Sequence, residues 1–164
     1  MKKYHLIIIL TAIFFNFGVA IAENRREVNI ANELHSGIKF HLIVRNSPFN
    51  RSSNKLKRLW GDFGGNDNEV ISKMLFELNG QKVLIPNLAY GDLLNVELNA
   101  IQVTEINENI SISIKGGDGA GAYESRIVIE KMRPAFRETG NGSLGDPRKK
   151  ETINFSQQLP KKPK

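Results

Sequence analysis

Polar and apolar residues alternate along much of this chain. Ile38, Phe40, Leu42 and Val44 interleave with Lys39, His41 and Arg45, which puts the apolar set on one face of a strand, because successive strand side chains point to opposite sides. Arg45-Asn46-Ser47-Pro48 is expected to end that strand, since proline cannot donate to a ladder and Asn-Ser favours a turn. Met74, Phe76 and Leu78 alternate up to Asn79-Gly80, and Val83 and Ile85 alternate beyond it. Asn-Gly suits a type I′ turn, whose two central residues both need positive φ, so a β-hairpin is predicted here. From Val96 to Ile106 the chain is again extended in character. Its apolar residues change face between Leu98 and Ile101, which predicts a bulge or a strand passing between two sheets. Asn107-Glu108-Asn109 turns into Ile110, Ile112 and Ile114, spaced by Ser111 and Ser113. Tyr123, Ile127 and Ile129 then alternate with Glu124, Arg126 and Glu130.

The segments between these strands read as connections. Residues 46–68 are rich in Asn, Ser, Gly and Arg but carry Leu56, Leu59, Trp60 and Phe63, so the loop is expected to be pinned onto the domain, with one helical turn admissible over Asn54–Trp60. Pro86 interrupts the strand pattern, and Asn87-Leu88-Ala89-Tyr90 suits a single helical turn. After Met132 the pattern decays into a stretch punctuated by Pro134, Gly140, Gly142, Gly145, Pro147, Pro160 and Pro163, which is expected to be largely disordered. Thr152-Ile153-Asn154-Phe155 is the one part of it that suits a short docked strand. Six or seven close-spaced strands with almost no helical period predict an all-β fold: a small antiparallel β-sandwich, or a partly open barrel. The expected division is a signal peptide over 1–22, a β-sandwich domain over 23–132 and a basic, largely disordered tail over 133–164.

The first 22 residues change the picture by setting the compartment. Lys2 and Lys3 precede an apolar run from Leu6 to Phe15, and Ala20-Ile21-Ala22 supplies small residues two apart. This is the three-part pattern of a cleaved secretory signal. An uncleaved anchor is the competing reading, but Asn16 and Gly18 interrupt a run already near the lower limit for a span, about 17 residues. A periplasmic or secreted protein is expected. The chain has no cysteine, so an exported domain must hold together by burial without disulfides, and thiol catalysis and cysteine zinc sites are excluded.

The net charge of +6 is unevenly spread. Residues 23–130 hold 12 Lys or Arg against 14 Asp or Glu, whereas residues 131–164 hold 9 against 3. A basic end outside the cytoplasm suits an anionic envelope polymer or an acidic protein partner. Nucleic acid is not expected, because no aromatics are interleaved with the basic residues to stack bases. The bland reading of the same charges is a solvated tail.

Candidate chemistry is sparse. Gly116–Gly121 lies between two strands, lacks a following Gly-Lys-Ser or Gly-Lys-Thr, and holds Asp118, which would repel phosphate; a hairpin connection fits it better than a nucleotide loop. Asp62, Asp67, Glu69 and Asp118 lack calcium-loop spacing. His35 and His41 are the only histidines after residue 22, and no nucleophile-elbow or metalloprotease motif accompanies them. No cofactor and no metal site is expected. Arg51, Lys55, Lys57 and Arg58 cluster beside Trp60 and Phe63, a basic-aromatic set that is the best candidate binding patch; the alternative role of those aromatics, with Tyr90, is to cover an open end of the sandwich. The expected function is a non-catalytic envelope binding or accessory protein docking through this loop and the basic tail. The alternative is a small envelope hydrolase using carboxylates or His41.

Overall fold

The computed structural model describes residues 27–50, 59–61, 68–142 and 150–155. Among these residues, nine strands form two antiparallel sheets around one core. The first sheet runs in the order β1 (Glu27–Glu33), β2 (Lys39–Pro48), β3 (Glu69–Leu78), β4 (Gln81–Val83). The second runs β5 (Gln102–Ile106), β6 (Asn109–Gly116), β7 (Tyr123–Glu130), β8 (Arg133–Asn141), β9 (Lys150–Asn154). Each sheet is a meander in which every strand pairs with its sequence neighbour, and neither closes into a barrel. Among the described residues there is no α-helix, only 3₁₀ turns at Asn87–Ala89, Leu98–Ala100 and Gly119–Gly121, and no helix is long and apolar enough to cross a membrane.

The alternating residues supply the core as the period-2 pattern requires. Phe40, Leu42 and Val44 from β2 and Met74, Phe76 and Leu78 from β3 are buried in the same cluster as Ile110, Ile112 and Ile114 from β6 and Ile127 and Ile129 from β7. Asn79 and Gly80 sit at φ 47° and 75°, the predicted primed turn. Two further two-residue turns take the same form, Asn107-Glu108 between β5 and β6 and Lys131-Met132 between β7 and β8, with positive φ at all four residues. Asn87–Ala89 forms its single turn.

Three expectations need correction. Strand β2 does not stop at Asn46; it continues to Pro48 after a bulge at Arg45/Asn46 against β3. The proline is tolerated because β1 reaches only as far as Arg45, leaving the end of β2 with one neighbour. The face change between Leu98 and Ile101 is a 3₁₀ turn, and the passage between sheets comes earlier. Leu94 bridges to Val70 of β3 and Val96 bridges to Gly116 of β6, with Asn95 at φ 51° between them. Finally, the fold does not end at Met132. β8 and β9 complete the second sheet and bring Arg137, Thr139 and Phe155 into the interior. β8 escapes a hydrophobic-period reading because two of its inward positions are polar. The expected signal peptide over 1–22 and the chain after Phe155 lie outside the described residues.

Candidate functional site

Of the predicted patch, Trp60 lies within the described residues; Arg51, Lys55, Lys57, Arg58 and Phe63 lie outside them. Trp60 is 3% exposed. Its backbone is stitched to the crossover segment in both directions, Trp60 N–H donating to the Asp92 carbonyl and Leu94 N–H donating to the Trp60 carbonyl, each at 2.9 Å. The indole ring packs against Tyr123 with centroids 6.4 Å apart, and Nε1–H donates to Glu151 Oε2 at 3.1 Å. The ring therefore covers the core, the second role considered for it, and fixes the loop to the body.

Gly61 follows the tryptophan for a steric reason. At φ +77°, a Cβ there would come within 2.7 Å of both the Leu94 carbonyl oxygen and the Tyr123 ring. The crossover residue Asn95 holds the other side of the same junction. Its Nδ2 donates to the Gly61 carbonyl at 3.0 Å and to Asn68 Oδ1 at 2.7 Å, while its Oδ1 accepts from Glu69 N–H at 3.0 Å. Phe49 N–H donates to the Asn68 carbonyl at 2.8 Å, closing the base of the whole 50–67 connection. One asparagine in the left-handed region thus gathers two separate pieces of chain onto its own, which its short amide permits better than most side chains.

Beneath Trp60 lies a buried polar layer. Arg137 is fully buried and makes a two-point ion pair with Asp92: Nη1 bonds to Oδ1, and Nη2 donates to Oδ2 at 2.8 Å. Planar guanidinium and carboxylate match edge to edge, which is how a buried charge is made tolerable. Tyr123 donates its hydroxyl to the Leu94 carbonyl at 2.9 Å. Burial, and next the negative charge of Asp92, push that phenol far above the ordinary tyrosine range, so it stays a donor. Ser125 Oγ and Thr139 Oγ1 pair at 2.9 Å. Sequence reasoning missed Glu151, Asp92, Tyr123 and Arg137, since nothing in local spacing links residues 45 and 91 positions apart.

The other candidates are placed as follows. His41, on the outer face of β2, lies with Nε2 2.8 Å from Asn29 Oδ1 and Nδ1 3.8 Å from Glu77 Oε2. His35 is in the β1–β2 turn. Asp118 accepts from Gly119 N–H at 2.7 Å, capping the 3₁₀ turn of the glycine loop, and Glu69 opens β3; Asp62 and Asp67 lie outside the described residues. Among the described residues no group of three or more His, Asp or Glu converges to hold a metal ion. No family model, curated protein or solved structure matches the chain.

Proposed function

We propose that this is an exported, non-catalytic binding protein, periplasmic or secreted, which docks on an anionic polymer of the cell envelope through its basic segments. The observation that carries the reading is the hydrogen bond between Trp60 and Glu151. Arg58 stands two residues before Trp60, and Arg148 and Lys149 stand three and two residues before Glu151. With consecutive Cα atoms about 3.8 Å apart, two basic stretches remote in sequence are tied by chain connectivity to residues bonded to each other. Trp60 acts in this reading as the anchor of the loop that carries Arg51, Lys55, Lys57 and Arg58. The tail adds Lys161, Lys162 and Lys164 as a further, independently tethered charge.

Docking of this kind draws its affinity from many exposed charges and is screened by salt. The test is quantitative pelleting of the chain from Glu23 onward with purified envelope fractions at low and high salt, beside an Arg51→Gln/Lys55→Gln/Lys57→Gln/Arg58→Gln variant. Four exposed ion pairs at about 0.5 kcal/mol each correspond to a roughly thirtyfold loss of affinity. Unchanged pelleting of the variant, or pelleting indifferent to salt, contradicts the reading.

A further inference from the structure

At the other end of the second sheet, on its outer face, Ile106, Asn107, Asn109, Ser111, Arg126, Val128 and Phe136 line a half-open groove of about 170 Å³. Its shape follows from the strands. The Asn107-Glu108 turn lies at one side, and a bulge at Ala135 on β8, between Phe136 and Pro134 and opposite Val128 and Ile129 of β7, bends the other. The register sets Ser111 opposite Val128 and Ser113 opposite Arg126, so Ser111 and Arg126 are diagonal neighbours on adjacent strands, within reach of one small bridging group.

Two polar atoms under this groove are unmet. Ser111 is 2% exposed, and neither its Oγ nor Arg126 Nε has a hydrogen-bond partner among the described residues. The neighbouring nitrogen of the guanidinium is engaged: Nη2 donates to Glu138 Oε2 at 2.7 Å, and Lys150 Nζ holds the other Glu138 oxygen at 2.5 Å. Burial opposes ionisation of Glu138, but hydrogen bonds from Lys150 and Arg126 outweigh it and hold this carboxyl below its ordinary range. Beside them stand Ile106, 44% exposed, Val128 and Phe136.

We infer that this groove binds a small carboxylate with a flat or branched apolar body. One carboxylate oxygen accepts from Arg126 Nε–H, the other from the Ser111 hydroxyl, and the body lies against Ile106, Val128 and Phe136. An acceptor with two oxygens satisfies both unmet donors at once, and its charge strengthens the bond to the guanidinium, which an uncharged group does not. The groove is lined by no residue of the loop that carries Trp60, so the inference stands apart from the docking proposal.

The test uses benzoate as probe and benzyl alcohol as its uncharged counterpart, titrated into the chain from Glu23 onward and followed by backbone amide shifts. Saturable shifts confined to the groove residues are expected with benzoate, with benzyl alcohol at least roughly tenfold weaker. Ser111→Ala and Arg126→Lys should each weaken benzoate about tenfold, and Ser111→Ala should leave the melting temperature unlowered because its hydroxyl has no partner to lose. The inference is overturned by equal binding of both probes, by benzoate shifts outside the groove, or by undiminished binding to Ser111→Ala. A lowered melting temperature for Ser111→Ala also overturns it, since that hydroxyl would then be bonded within the fold. The probe comparison on the unaltered chain decides even where a variant fails to fold.

Discussion

Arg137 and Asp92 are the residues whose chemistry decides most about this interior. Desolvating a guanidinium and a carboxylate is costly, and their two-point contact offsets that cost only while both are present. Arg137→Met should therefore destabilise the fold by about 3–5 kcal/mol, because it strands the Asp92 carboxylate beneath Trp60. The double change Arg137→Met/Asp92→Leu should cost less than the single one, since an apolar pair removes the stranded charge along with the bond. Urea unfolding of the three forms checks this, and a loss below about 1 kcal/mol in the single variant would show that the pair is not holding the layer. None of this was legible beforehand. A lone arginine after a proline reads as solvated tail, and only the β7–β8 register, which sets Arg137 opposite Ile127, turns it inward.

At the scale of elements, turn chemistry accounts for what sequence could and could not announce. Asn79-Gly80 declared its hairpin because those two residues occupy positive φ cheaply. Glu108, Lys131 and Met132 adopt the same conformation with side chains that resist it, so the sequence signal of their turns is weak and the β7–β8 hairpin was missed altogether. β1 was missed for a different reason: as an edge strand it offers only Val28 and Ile30, both half-buried. The misfit of the two unusual turns has a measurable consequence. Glu108→Gly and Met132→Gly should each raise stability by about 0.5–1 kcal/mol, the relief of left-handed strain less the entropy glycine adds to the unfolded chain. Thermal unfolding of each variant reads this, and a lowered melting temperature would contradict it.

The whole molecule is held shut by chain that composition alone assigns to a tail. Strands β8 and β9 carry Arg137, Thr139 and Phe155 into a core otherwise built from alternating Ile, Leu, Val and Phe, and Glu151 of β9 receives the Trp60 indole. A chain ending after Met132 should fail to fold, whereas one ending after Phe155 should fold with unchanged circular dichroism in the far ultraviolet. Folding of the shorter form would contradict this architecture. The alternation of β2 to β7 was legible because their inner face is apolar, and Thr152-Ile153-Asn154-Phe155 announced β9. β8 was not legible, because burial there is achieved by a paired charge and hydroxyls.

The proposed docking reading depends on the bond between Trp60 and Glu151, each of which follows a basic stretch in sequence, and Trp60 is the only tryptophan in the chain. Its fluorescence therefore reports on that junction alone, and the measurement to make is its emission during titration with a soluble polyanion such as dextran sulfate. A saturable change in wavelength or intensity, abolished in about 1 M salt where the screening length falls to about 3 Å, is the predicted result. Emission that stays constant while the polyanion binds would place docking elsewhere on the molecule and contradict the account.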